Sequence, residues 1–390
     1  MLSQLGYWMT TTGLQWSVSE ATDSDPLALG LLYFVALVPL LVLSPWAGTL
    51  ADRHERARLI AWAQGSIALM CLAFLTFVEL VPSLGLGGTF TFAFGIGTML
   101  ALSAPAGQSL IASLVPQEDL TSAIGMQSMS MNAARIAGPS LTGALLVGSA
   151  TTVPVLVYAV TAAVSAWTAW RLPALPRPRG SDAAESAWRR MRSGVSYVRR
   201  NPPCGMALLM LAGTSVMGAS YVSLLPAVAT ETLGGGPGTF TALVVATGIG
   251  AMLGVLVTSW RDRGTTKPGT IAAHMAALAV GVASLGVVSF LPASLVLAAL
   301  TAGVNFAIMA RINALLNSRA DNDHRGRVMS LYVLAWAGLV PVGALLLAGL
   351  AALTSLAIAL ATSGALLALF TLCVVWWHRR SAKRSTTARQ

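Results

Sequence analysis

Apolar runs of about 20 residues recur along the whole chain, and they restrict the possible folds more than any other feature. The run from Leu27 to Ala47, for example, contains no charged residue. As a helix, such a run crosses the ~30 Å hydrocarbon core of a bilayer. A soluble domain carries about 25% charged residues, whereas this chain of 390 residues has 10%, with 55% hydrophobic residues. The sequence therefore predicts that lipid surrounds most of the protein.

Helices are the predicted spanning elements, because the strands of a membrane barrel are shorter runs in which polar and apolar residues alternate. With the turn and charge signals between them, the apolar runs predict an all-α membrane protein with twelve transmembrane helices. The predicted spans are 2–19, 27–50, 59–79, 86–110, 121–149, 152–171, 203–229, 237–260, 269–290, 293–317, 327–350 and 354–377. Because the first span begins beside Met1, we expect the native polypeptide to start upstream of it.

The net charge of +10 is concentrated in alternate connections between the predicted spans. Every Lys and Arg except Arg135 and Arg311 follows the second, sixth, eighth, tenth or twelfth span. The opposite connections and span ends carry acidic side chains: Glu20, Asp23, Asp25, Glu79 and Glu231. By the positive-inside rule, both termini are predicted to be cytoplasmic, in the bacterial inner membrane. Topology and anionic lipid therefore explain the basic charge, and we expect no nucleic-acid partner.

The chain lacks the patterns typical of enzymes and metal sites. Cys71, Cys204 and Cys373 lie far apart within or beside apolar runs, which predicts neither a metal site nor a disulfide framework. We find no zinc-protease helix, nucleophile elbow or phosphate-binding loop. We therefore expect no catalytic residue and no cofactor, and any uphill transport must use an ion gradient.

A basic linker divides the twelve spans into two groups of six. We predict an N-terminal six-helix bundle over 1–171, a cytoplasmic linker over 172–202, a C-terminal bundle over 203–378 and a basic tail over 379–390. The linker places four apolar residues at helical spacing among arginines: Trp188, Met191, Val195 and Val198. This spacing predicts an amphipathic helix on anionic inner-leaflet lipid, and a solvated linker with chance spacing is the alternative.

The two predicted bundles repeat each other weakly. Ser128 and Pro139 of the fifth span correspond to Ser330 and Pro341 of the eleventh, at a common offset of 202 residues. This offset supports two pseudo-symmetric parallel repeats, an arrangement found in transporters whose binding site lies near the bilayer midplane.

Arg135 is the basic residue nearest the middle of a predicted span. It lies about 21 Å along a helix that starts at Thr121, and a guanidinium at that depth is expected to face the bundle interior or a water-filled cavity. Asn132 and Pro139 lie on the same helical face. We interpret Arg135 as a cavity-lining functional residue, and a structural arginine bonded to backbone carbonyls is the alternative.

Other polar and aromatic residues in the spans are candidates for the same cavity, although amide and hydroxyl groups also join helices. The predicted lining is Gln15, Trp16, Asn132, Arg135, Tyr221 and Asn305. Arg311 is expected to extend its long side chain to the interface, and His274 to be a hydrogen-bonded packing residue. No span has a carboxylate in its middle third, so Glu20 is the candidate for ion coupling, with an ordinary surface carboxylate as the alternative.

The stretch GTLADRHERAR, residues 48–58, follows the apolar run from Leu27 to Ala47 and gathers five charges into seven residues. Together with the two groups of six spans, it resembles the major facilitator superfamily, whose signature here is roughly G-x-L-A-D-R-x-G-R-[RK]. The matching residues include Gly48, Leu50, Asp52, Arg53 and Arg56, whereas Glu55 stands where the family has glycine. The resemblance implies that the stretch fastens the two halves at the cytoplasmic face in the outward-open state. The alternative is that its arginines only set topology and anchor the helix.

Two further stretches, GYWMTTTGLQWSV and RGRVMSLYVLAWAG, resemble the branch of this superfamily that contains the enterobactin exporter and macrolide efflux proteins. ARIAGPSLTG is similar to the GPxxGG signature of exporters: Gly138, Pro139 and Gly143 match, and Thr142 replaces a glycine. The resemblance implies a monomer that exports a hydrophobic or amphipathic small molecule, drug or siderophore-like, by alternating access, with proton antiport and multidrug resistance. The alternatives are an importer or lipid carrier on the same fold, or a membrane scaffold or sensor that transports nothing.

Overall fold

The structure is a computed structural model that describes residues 2–80, 85–116, 118–146, 152–172, 187–261 and 268–387. Helices form almost all of these residues, which include no strand. This confirms the predicted all-α fold. The helices are α1 (Leu2–Ala21), α2 (Pro26–Arg53), α3 (Arg56–Leu80), α4 (Gly85–Leu114), α5 (Leu120–Leu146), α6 (Thr152–Arg171), α7 (Ala187–Arg200), α8 (Pro202–Gly213), α9 (Leu225–Ala227), α10 (Pro237–Arg261), α11 (Pro268–Leu285), α12 (Leu291–Arg319), α13 (Asn322–Val333), α14 (Leu339–Leu353) and α15 (Leu356–Thr387).

The linker helix α7 stands apart from the others. The remaining helices of the described residues make up twelve long segments. One segment, Pro202–Thr232, combines α8 and α9, and another combines α13 and α14. Nine segments of the described chain are long and apolar enough to span a membrane, and Gly269–Leu285 is a shorter apolar helix. Helices α1 and α5 carry the polar stripes and are not among these nine. The twelve segments therefore differ in polarity, and the two that carry the polar stripes belong to the N-terminal half.

Local sequence signals explain where several helices begin. The Asp25 carboxylate accepts hydrogen bonds from the backbone N–H groups of Leu27 and Ala28, both at 3.2 Å, and so caps α2. Pro26 occupies the first position of α2, where no helical N–H is needed. Helices α8, α10 and α11 also begin at proline. These caps place the observed helix starts close to the predicted ones.

The chain forms two compact units. Unit 1 comprises Met1–Arg190 and Gly235–Val245, and unit 2 comprises Met191–Gly234 and Ala246–Gln390. In unit 1, α2 packs against α4, α3 against α4 and α6, and α1 against α5 and α6. In unit 2, α11 packs against α12 and α15, and α14 packs against α15. The boundaries of the four regions predicted from the sequence stay predictions.

Small residues allow helices to approach closely within each unit. In unit 1, a Cβ on Gly97 of α4 would overlap the backbone carbonyl of Ala36 on α2. In unit 2, a Cβ on Gly250 of α10 would overlap the backbone of Ala299 on α12. Membrane helices commonly pack through small residues in this way, because surrounding lipid offers no hydrophobic gain for their association.

Three stretches of unit 2 are π-helical within the described chain: Thr214–Gly218, Val228–Thr232 and Leu334–Gly338. In the first, the Ala219 N–H reaches back five residues and donates to the Thr214 carbonyl at 2.8 Å. A 3-10 turn over Ser220–Leu224 follows. The corresponding helices of the first half, α1 and α5, are α-helical throughout.

The linker helix α7 packs against the start of α13. Gly194 is buried, and a Cβ there would lie 3.2 Å from the Arg327 carbonyl oxygen. Ser193 accepts a hydrogen bond from the Arg327 guanidinium. The Tyr197 ring stacks on His324, with centroids 4.4 Å apart, and its hydroxyl accepts from the Asp321 N–H at 3.1 Å. One face of α7 is therefore held by protein within unit 2. The side chain of Trp188, part of the predicted apolar stripe, lies outside the described residues.

Candidate functional site

The charged stretch lies at the end of α2 and the start of α3. At His54 the chain leaves the helix, and its backbone N–H donates to the Leu50 carbonyl at 3.1 Å. Leu50 lies in the last turn of α2, and Arg56 begins α3. Among the motif residues, the side chains of Asp52 and Arg53 lie outside the described part of the chain.

Two arginines attach this turn to neighbouring helices of unit 1. The Arg56 guanidinium donates to the Ser109 carbonyl at 3.2 Å and to the Ser113 hydroxyl at 2.8 Å, both on α4. The Arg58 guanidinium lies 3.9 Å from the centroid of the Trp170 ring on α6. The start of α3 is therefore attached to α4 and α6 through these two side chains.

Arg135 on α5 faces α1 and α2 within unit 1. Its guanidinium carbon lies 5.3 Å from the centroid of the Trp8 ring, within the ~6 Å range of a cation–π contact. Tyr33 on α2 is also within electrostatic range of Arg135. Both Arg135 and Trp8 are half-buried. The arrangement offers a positive charge beside a flat aromatic face.

Further aromatic side chains extend this group. Tyr7 packs edge-on against Trp8, with centroids 5.6 Å apart, and against Tyr158 of α6 at 6.3 Å. Tyr158 is fully buried, and its hydroxyl has no hydrogen-bond partner among the described residues. Sequence reasoning missed Tyr7, Tyr33 and Tyr158, because a tyrosine in an apolar run looks the same in a binding site and in a packed core. The adjacent aromatic pair Tyr7 and Trp8 was the one sequence feature that could have indicated this aromatic group.

The exporter-like motif of α5 sets the distance between α5 and α1. A Cβ on Gly138 would lie 2.6 Å from the Trp8 Cβ, so these helices approach through a position without a side chain. Thr142, which replaces a family glycine, donates to the Met9 carbonyl at 3.2 Å and to the Gly138 carbonyl at 3.0 Å. The replacement thus adds a hydrogen bond between the two helices that place Trp8 opposite Arg135.

The rest of the motif also lies in packed surroundings. A Cβ on Gly143 would lie 2.8 Å from the Thr241 Cβ, in the part of α10 that belongs to unit 1. Pro139 is buried inside α5 without ending the helix.

The remaining unit 1 candidates lie along α1 and α5. Trp16 is buried and stacks on Phe240, with centroids 5.9 Å apart and rings 24° from parallel. Gln15 and Asn132 are half-buried, and Glu20 is exposed near the end of α1. Trp16 therefore has an aromatic packing partner in the same unit.

The remaining two candidates belong to unit 2. Tyr221 is buried in the 3-10 turn over Ser220–Leu224. Asn305 is buried in α12, and its Oδ1 has no hydrogen-bond partner among the described residues. A buried amide oxygen of this kind is costly unless a ligand or water bonds it.

Arg311 differs from the sequence expectation. Its side chain is 5% exposed, and its guanidinium donates to the Nε2 of His274 at 3.1 Å. The His274 Nδ1 bonds the Thr270 carbonyl at 2.7 Å. The prediction that Arg311 extends to the interface is therefore wrong, because packing of α12 against α11 supplies an acceptor inside unit 2. The prediction that His274 is a hydrogen-bonded packing residue is confirmed.

The described residues contain no group of three His, Cys, Asp or Glu side chains placed to hold a metal ion. Among these residues, Cys71 and Cys204 are buried free thiols, and Cys373 is an exposed one.

Comparisons with known proteins agree with the observed fold. A family model described as transmembrane secretion effector matches residues 1–388. The staphyloferrin A transporter of Staphylococcus aureus (strain NCTC 8325 / PS 47) is 24% identical over 350 residues, which cover 88% of this chain and 85% of that protein.

Solved structures of transporters resemble the chain over nearly its whole length. The nucleoside transporter NupG has a TM-score of 0.74 at 11% identity, covering 96% of this chain and 99% of that chain. A POT family transporter in complex with a thioalcohol conjugated peptide has a TM-score of 0.75 at 12% identity, covering 97% and 94%. At these identities the two structures bear on the fold alone.

Proposed function

The chain belongs to the transmembrane secretion effector family of major facilitator transporters, and from this we propose that it is a secondary active exporter of the bacterial cytoplasmic membrane. The proposed cargo is a hydrophobic or amphipathic small molecule, drug or siderophore-like, exchanged for protons by alternating access. The relative named as a staphyloferrin A transporter supports a siderophore-like cargo. Both termini are proposed to be cytoplasmic, because the basic connections all fall on one side.

The observation that carries this proposal is the Arg135 guanidinium beside the Trp8 indole, on α5, a predicted membrane span that packs against α1. A charged side chain at membrane depth is costly, and such residues commonly mark substrate or ion pathways. Aromatic faces suit a flat amphipathic molecule, and the guanidinium suits an anionic or phenolate group on it. The remaining proposed lining residues are Gln15, Trp16, Asn132, Tyr221 and Asn305, with Glu20 as the proposed coupling residue.

We assign the conformational gate to the charged stretch at the end of α2 and the start of α3. Its residues are Gly48, Leu50, Asp52, Arg53 and Arg56. Charge–charge and charge–dipole contacts of about 1 kcal/mol each are weak enough to break and remake in every transport cycle. The glycines and proline of α5, which permit close packing and bending, are proposed to support the same movement.

The proposed function is tested in two steps. A deletion strain is first screened against a compound panel, with and without an uncoupler, to find a compound whose toxicity the protein reduces. Inverted membrane vesicles, energised by a proton gradient, then measure the movement of that compound. Export predicts accumulation inside the inverted vesicles and its loss with the uncoupler.

Variants decide whether Arg135 acts in transport. We expect Arg135→Ala to abolish accumulation and Met129→Ala, an exposed position on the same helix, to preserve it. Movement out of the inverted vesicles would indicate an importer. A phenotype that survives Arg135→Ala but is lost when residues 186–200 are deleted would favour the scaffold or sensor alternative.

A further inference from the structure

Three tryptophans and two arginines gather on one outer face of unit 1, where α3 begins and α6 ends. Trp62 is 67% exposed, Trp167 59% and Trp170 49%, so about half or more of each of these residues is exposed. Trp62 and Trp170 pack edge-on with centroids 6.3 Å apart. Because α3 and α6 pack along each other, residues from both helices form one continuous surface.

The arginines of this face lie over the indole rings. The Arg58 guanidinium carbon is 3.9 Å from the Trp170 centroid, and that of Arg171 is 5.2 Å from the Trp167 centroid. A guanidinium that stacks through its flat face keeps its in-plane N–H donors for other groups. The Glu55 carboxylate lies 3.6 Å from the Arg58 Nε, which leaves the group of Glu55, Arg58 and Arg171 with a net positive charge.

This combination matches the chemistry of a lipid head group. Exposed indoles are typical of the boundary between head groups and acyl chains, and guanidinium groups bind phosphate oxygens in pairs. The face also belongs to the side of the membrane that carries the basic connections, where anionic lipid is expected. We propose that this face, formed by Trp62, Trp167, Trp170, Arg58 and Arg171, is a binding site for an anionic phospholipid of the cytoplasmic leaflet, with the head-group phosphate held by the two arginines.

The site does not depend on export, because it requires only that unit 1 be embedded in a bilayer. Nor does it involve the linker helix, whose exposed arginines 192, 199 and 200 lie in unit 2. It predicts selectivity for an anionic lipid, since the positive charge adds to the apolar contact that any lipid makes with the indoles.

The test uses the full-length protein in phosphatidylcholine nanodiscs, to which dioleoyl phosphatidylglycerol is added. Native mass spectrometry then measures how many phosphatidylglycerol molecules remain bound. We expect the double variant Arg58→Gln/Arg171→Gln to bind this lipid about tenfold more weakly than the wild type. Trp62→Leu/Trp170→Leu is expected to weaken binding of phosphatidylglycerol and phosphatidylcholine alike.

A matched control changes Trp260 and Arg261, which lie exposed at the end of α10. Trp260→Leu/Arg261→Gln is expected to retain phosphatidylglycerol as the wild type does. The proposal is overturned if the Arg58/Arg171 variant retains the lipid fully, or if soluble glycerol phosphate competes as well as the lipid. It is also overturned if the tryptophan face joins two copies of the chain, seen as a dimer that Trp62→Leu/Trp170→Leu dissolves.

Discussion

Arg311 of α12 and His274 of α11 form a hydrogen bond of 3.1 Å inside unit 2. The carbonyl of Thr270 can only accept, so the His274 Nδ1 donates to it and the Nε2 lone pair is left to accept from Arg311. The position of the proton on this imidazole is thereby determined by its two partners. The histidine thus satisfies one donor of the buried Arg311 guanidinium.

Replacement of His274 tests this pair. We expect His274→Leu to lower the free energy of unfolding by about 1–3 kcal/mol, because a buried guanidinium donor loses its acceptor. His274→Gln should cost less, since its side-chain oxygen can accept the same bond. Thermal unfolding of the purified protein in detergent measures both, with Val280→Ala, an exposed position on α11, as the control. Equal losses for the leucine and glutamine variants would contradict the assigned bond.

Close contact at Gly138 predicts that α5 does not tolerate even a methyl group there. The Cβ of Gly138→Ala would lie 2.6 Å from the Trp8 Cβ and 3.1 Å from the Met9 nitrogen. We expect a loss of about 1–3 kcal/mol in unfolding free energy, together with reduced transport, because α1 and α5 must separate. Gly125→Ala on the same helix is the matched control, since nothing lies within 4 Å of its added Cβ. Similar melting curves for the two variants would show that the α1–α5 contact is looser than described.

Tyr197 is expected to hold the linker helix against unit 2. Its hydroxyl accepts from the Asp321 N–H and from the Asn201 side chain at 3.2 Å, and its ring stacks on His324. Tyr197→Phe should weaken the attachment by about 0.5–1.5 kcal/mol, and Tyr197→Leu by more. The rate of trypsin cleavage after Arg192, Arg199 and Arg200 reports on this attachment. Ser196→Ala, at an exposed position on α7, serves as the control, and its cleavage rate should match that of the wild type.

Asp52 distinguishes a conformational gate from a topology signal. Positive-inside topology requires arginines but no carboxylate at this position, so Asp52→Asn should stop transport while membrane insertion continues. Membrane abundance and vesicle transport of the same variant provide the two measurements. Asp119→Asn, which alters an exposed carboxylate just before α5, should leave both unchanged. Normal transport by the Asp52 variant would reduce the charged stretch to a topology signal.

Much of the fold was predictable, because a bilayer requires long apolar helices and a proline or capping residue marks many of their starts. The ninth span shows the limit of this signal. It was predicted to run to residue 290, but α11 ends at Leu285. Val287 and Val288 continue the apolar run through the turn, so hydropathy does not reveal where the helix stops. The Ser294 hydroxyl instead bonds the Val288 carbonyl at 2.8 Å and closes that turn.

The candidate site was predicted less completely, because its contacts join residues distant in sequence. The polar stripe identified Arg135, but its partner Trp8 depends on how α1 packs against α5. Arg311 looked like an interfacial residue because the chain does not reveal that α11 supplies a histidine beside it. The irregular turns of unit 2 likewise have no residue pattern that distinguishes them from ordinary apolar helix.

Those π-helical turns give the C-terminal half a freedom of adjustment that α1 and α5 do not have. A π-turn contains one residue more than an α-turn, and shifting that extra residue along the helix swings each side chain it passes by about 100° around the axis. Tyr221 follows one such turn, and Trp336 lies within another. A shift of either bulge would therefore turn Tyr221 or Trp336 about its helix axis while the helix itself stays intact.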